Sequence, residues 1–122
     1  MIDSLYAIGI VEKGMGDWPA AEKTLRKALD WATKLVAKAP EPRHRYMLAE
    51  AHWNVAVVLQ KSKRLAEACD LFRQQVAMVH GLVREFPAEP TYRWREASAR
   101  NFLGIAQRGL PGEVELAIEQ HR

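Results

Sequence analysis

The sequence predicts an all-α protein built of antiparallel helical hairpins, and three observations carry that expectation. Apolar residues recur at steps of three and four along most of the chain. No segment sustains the period-two alternation of a half-buried strand. Proline pairs break the helical pattern twice, at Pro40/Pro42 and at Pro87/Pro90.

A first helix is expected over Ser4 to Lys13, with Leu5, Ile8 and Val11 on one side and Tyr6 and Ile10 on another. Gly14-Met15-Gly16 stops it, since glycine tolerates the left-handed backbone of a helix end, and Asp17 is placed to cap the next helix. The second helix, Trp18 to Lys38, holds Pro19 in its first turn, where the missing N–H costs nothing. It carries Trp18, Ala21, Leu25, Ala28, Leu29, Ala32, Leu35 and Val36 in one stripe. A third helix, Arg45 to Lys61, differs, because Tyr46, Leu48, Ala49, Ala51, Trp53 and the run Val55 to Leu59 go almost all the way round. A helix apolar on every side is covered on every side, which places this one at the centre. The fourth, Leu65 to Phe86, returns to a single stripe through Ala68, Cys69, Phe72, Val76, Val79, Leu82 and Val83. A fifth, Thr91 to Arg108, carries Trp94, Ala97, Phe102, Leu103, Ile105 and Ala106, and Gly109-Leu110-Pro111-Gly112 ends it. A short last helix, Glu113 to Gln120, bears Val114, Ala117 and Ile118.

The chain of 122 residues, 48% apolar and 27% charged, reads as one globular domain over 1–122. Its formal charge of +3 is mild, and many cations follow an acid at i,i+4: Glu22 and Arg26, Asp30 and Lys34, Glu89 and Arg93, Glu96 and Arg100. Such self-neutralising faces argue against a nucleic-acid surface. Cys69, the single cysteine, has no internal disulfide partner and reads as a small core residue. The start has no basic n-region, and no stretch approaches the ~20 apolar residues of a membrane span, so the cytoplasm is the expected location. His44, His52, His80 and His121 lack metal-ligand spacing, and Ser4, Ser62 and Ser98 lack a nucleophile elbow. Gly14-Met15-Gly16 follows no strand and precedes no lysine-serine pair, so it is a turn and not a phosphate loop. The expectation is of no catalysis, no metal and no cofactor.

Pro42 and Pro90 lie 48 residues apart, and at that offset Arg45 falls on Arg93, Tyr46 on Trp94, Ala49 on Ala97 and Ala51 on Ala99. Small residues at Gly9, Ala56 and Gly104 mark equivalent places. After Gly9 come Gly16, Trp18, Ala21, Leu25 and Ala28; the same ruler from Ala56 reaches Lys63, Leu65, Ala68, Phe72 and Gln75. In this spacing the chain resembles the tetratricopeptide repeat family, with a repeat of about 47 residues against the 34 usual there. Lys63 departs from it by replacing the turn glycine. The resemblance implies a right-handed superhelix of about two and a half repeats, roughly 1–40, 41–88 and 89–122.

The resemblance also implies a concave groove lined by the first helix of each pair. Its positions map onto Tyr6, Ile10 and Lys13, then Trp53, Val57 and Gln60, then Asn101, Ile105 and Arg108. The family's carboxylate clamp is not supported, because Tyr6, Ile10, Trp53 and Val57 occupy its places. The expected function is a protein-interaction scaffold that takes an apolar peptide or amphipathic helix in this groove. A homodimer built on the same surface is the first rival. RNA binding through Arg93, Arg95, Arg100 and Arg108 is the second and weaker one.

Overall fold

The structure, a computed structural model, describes residues 16–109. These form four helices and no strand: α1 (Trp18–Lys38), α2 (Pro42–Lys61), α3 (Leu65–Glu85) and α4 (Pro90–Arg108). The expected helices over 4–13 and 113–120 lie outside the described residues, as do Tyr6, Ile10 and Lys13.

Each boundary has a local cause. Gly16 takes φ +77°, Asp17 accepts from the Ala20 amide at 3.2 Å, and Pro19 sits in the first turn of α1. Prolines 42 and 90 open α2 and α4, so these helices begin before the Arg45 and Thr91 expected from apolar periodicity. The Glu89 carboxylate accepts from the Thr91 amide at 3.2 Å; it serves as a cap and does not form the expected pair with Arg93. The three other i,i+4 pairs are present, at 2.8 Å for Glu22–Arg26, 2.9 Å for Asp30–Lys34 and 2.7 Å for Glu96–Arg100. The α2–α3 turn closes on Lys63 at φ +67°, with its amide bonded to the Gln60 carbonyl (3.1 Å) and that of Arg64 to the Leu59 carbonyl (2.9 Å). This pair of bonds ends a helix on a left-handed residue, a place that glycine fills without strain and lysine fills at roughly 1 kcal/mol.

Successive helices pack on one another, α1 on α2, α2 on α3 and α3 on α4. One core runs through them: Ala21 and Leu25 from α1, Val55, Ala56, Val58 and Leu59 from α2, Ala68, Cys69 and Phe72 from α3, and Ala106 from α4. The expectation that α2 is central is met. Helices one apart in sequence also touch. Arg64, at the entry to α3, bonds Glu22 of α1 at 2.6 Å and Glu67 at 2.8 Å, and Arg26 reaches Glu67 at 3.5 Å. On the other side α2 meets α4 through Tyr46–Tyr92 (5.5 Å between ring centres) and Trp53–Phe102 (5.7 Å, edge to face).

Three residues depart from the apolar pattern. Periodicity puts Trp94 in a core stripe, but it is 63% exposed, and the Arg95 guanidinium lies 4.8 Å over its ring, a contact that gives the indole a partner on the surface. The repeat spacing puts Gly104 at a close helix crossing, yet a Cβ there would meet no described atom within 4 Å. Gln75 is fully buried on α3, and neither its amide nitrogen nor its amide oxygen has a hydrogen-bond partner. Burying an unpaired amide costs about 1–3 kcal/mol, so Gln75→Met, of similar volume, should raise stability by about 1–2 kcal/mol in chemical denaturation. No gain would mean that an internal water already satisfies the amide.

Candidate functional site

The shared face of α2 and α4 divides into a closed half and an open half. In the closed half, Tyr46, Glu50 and Trp53 lie at steps of four and three along α2 and meet α4 at Arg95. The Arg95 Nε is 2.7 Å from the Glu50 carboxylate and donates to the Tyr46 hydroxyl at 3.4 Å. Its guanidinium stands over the Trp53 ring at 5.7 Å and over the Trp94 ring at 4.8 Å. Burial pushes the Glu50 carboxyl above its ordinary range, and the Arg95 charge and the Tyr46 hydroxyl only partly offset it. Arg95 is thus engaged with Glu50, Tyr46 and the two indole rings.

Beyond Trp53 the face opens. A cleft of about 490 Å³ lies between the end of α2, the α2–α3 turn and the end of α4. Val57, Leu65, Phe102 and Ile105 give it apolar lining, and Gln60, Lys61, Lys63 and Gly109 line it as well. The approach at Gly109 is tight: a Cβ there would come within 3.0 Å of the Leu65 side chain. Ile105 remains 42% exposed, and the cleft volume lies in the range of ligand-sized pockets.

Of the expected groove positions, Val57, Gln60 and Ile105 come together in this cleft. Trp53 sits deeper, packed against the core and edge-on to Phe102. Asn101 and Arg108 lie exposed on α4 and do not line it. Lys61, Lys63, Leu65, Phe102 and Gly109 line it without having been expected there. Leu65 and Phe102 carry the periodicity of core residues, and nothing in a stripe tells which member stands at its open end. Lys63 did leave a signal, as a lysine where the spacing calls for a turn glycine.

Other polar clusters are built into the packing. His52 is buried, with Nδ1 2.9 Å from the Leu48 carbonyl oxygen and Nε2 3.0 Å from the Gln74 side chain. His80 and Arg100 converge on Glu96 at 2.6 and 2.7 Å. Burial pushes the Glu96 carboxyl up, but the hydrogen bonds from Arg100 and His80 outweigh it and hold the group below its ordinary range. Among the described residues no His, Cys, Asp or Glu side chains gather in a set of three that could hold a metal, and no helix is long and apolar enough to cross a membrane. Of the four arginines considered for RNA, Arg95 and Arg100 are engaged with carboxylates. Compared with family models, curated proteins and solved structures, the chain matches none.

Proposed function

We propose that this chain is a non-catalytic protein-interaction module, a short array of tetratricopeptide-like hairpins, and that the α2/α4 cleft receives apolar side chains of a partner peptide or helix. One observation carries this reading. The face that the spacing marks as a groove holds an open apolar cleft at Val57, Phe102 and Ile105, beside a closed half in which Arg95 is paired with Glu50. The stacking of α1, α2, α3 and α4 in sequence order, with contacts between alternate helices, supports a repeat array. Its right-handed superhelix and its three repeats belong to the same proposal.

Ile105 is the residue to test, because it is exposed and its replacement leaves the core untouched, whereas Trp53 is wedged against Phe102. Ile105→Glu should weaken binding of a fluorescent amphipathic peptide, with leucine and phenylalanine one turn apart, by about tenfold or more. The helical circular dichroism signal should stay unchanged. Unaltered binding would sink the groove reading. Self-assembly is the second reading, favoured by Trp31, which is 48% exposed on α1 away from the cleft. A dimer in light scattering that is lost on Trp31→Glu and kept on Ile105→Glu would make it the leading one.

A further inference from the structure

Among the described residues, Lys63 is the one non-glycine with a positive φ, at 67°. Just before α1, Gly16 also has a positive φ, at +77°. Of these two positions, only one uses the residue that adopts a positive φ without strain. A strained residue persists where its side chain has a use, and that of Lys63 lines the cleft beside Lys61.

The surrounding charges point the same way. None of the lining residues is acidic. Lys61, Lys63 and the nearby Arg108 form no ion pair with any described residue, which leaves the cations on the cleft lining without a described counter-charge. An apolar slot lined by cations with no counter-charge among the described residues favours an anionic partner and disfavours a cationic one, and the effect weakens with salt.

We propose that the cleft selects an acidic protein segment, and that Lys63 sets this preference. A large apolar side chain of the partner enters between Val57, Phe102 and Ile105, and flanking aspartates or glutamates lie over Lys61 and Lys63. This inference rests on the groove reading and specifies the partner.

The test uses the whole chain and three versions of one fluorescent amphipathic peptide, with leucine and phenylalanine on one face and flanks of glutamate, glutamine or lysine. The glutamate version should bind about tenfold or more tighter than the lysine version at low salt, with the gap closing as salt rises. Lys63→Gly should raise the melting temperature by about 3–6 °C. The same substitution should weaken the glutamate version about three- to tenfold and shift the glutamine version by no more than about twofold. Stability and affinity moving in opposite directions is an outcome that a merely structural lysine does not give. Equal binding of all three peptides, or an unchanged glutamate affinity in Lys63→Gly, would overturn the acidic preference and leave the groove standing. No binding of any peptide by the folded chain would remove both. A dimer dissociated by Ile105→Glu would place a second copy in the cleft and overturn the proposal as well.

Discussion

Phe72→Ala should cost about 3–5 kcal/mol, a large share of the 5–15 kcal/mol that holds a typical domain folded. Phe72 is fully buried on α3, and its ring stacks on Phe102 of α4 at 6.0 Å, which in turn meets Trp53 of α2 edge-on at 5.7 Å. Truncation opens a void where three helices converge, and their backbones cannot all move in to fill it. The loss should appear as a lower midpoint in urea with an unchanged slope. Phe72→Leu, which keeps most of the volume, should recover the greater part. A cost below about 1 kcal/mol would show that the three helices collapse onto the gap, and would contradict the packing described.

Arg95→Ala should cost about 2–3 kcal/mol, and its effect should depend on pH. The guanidinium is the counter-charge of Glu50, and it also lies over the Trp53 and Trp94 rings. Burial holds the folded-state pKa of Glu50 above its unfolded value, so the protonated form favours the fold. That contribution is fully present below the unfolded value and is lost as pH rises through the folded one. Removing Arg95 takes away the largest influence that lowers the folded value, which then climbs further. The variant should therefore lie closest to the parent in acid and furthest from it at neutral pH. Adding Glu50→Gln should recover at least half of the neutral-pH loss and flatten the dependence. Urea titrations at several pH values decide it, and a pH-independent loss would mean that only packing is involved.

The four described helices are legible from their apolar patterns, a single stripe on α1, α3 and α4 and an encircling one on α2, and from the breakers that flank most of them. Asp17 with Pro19, and the proline pairs around residues 40 and 90, locate α1, α2 and α4 to within a few residues. The encircling apolar pattern of α2 correctly marks a helix packed between neighbours. The site is legible only in part. Spacing puts Val57, Gln60 and Ile105 on one face, but it does not show that Trp53 closes its own half through Arg95 and Phe102. That closure depends on contacts between α2 and α4, residues some 49 positions apart in the case of Tyr46 and Arg95. Trp94 escapes the pattern for a related reason. Periodicity assigns an indole to the core, but a neighbouring guanidinium gives it an alternative on the surface. Gln75 follows the core stripe in position and violates it in chemistry, which periodicity does not register.

The buried position of Cys69 gives the molecule an internal clock. It is the chain's single thiol, enclosed at 0% exposure in the core that Phe72, Leu59 and Leu25 complete. A thiol reagent reaches it only when α3 parts from its neighbours, so at high reagent concentration the labelling rate equals the rate of that opening, and at low concentration it reports the equilibrium of opening. Each substitution that loosens the α2–α3–α4 junction should be readable as a faster uptake of label under native conditions, without denaturant.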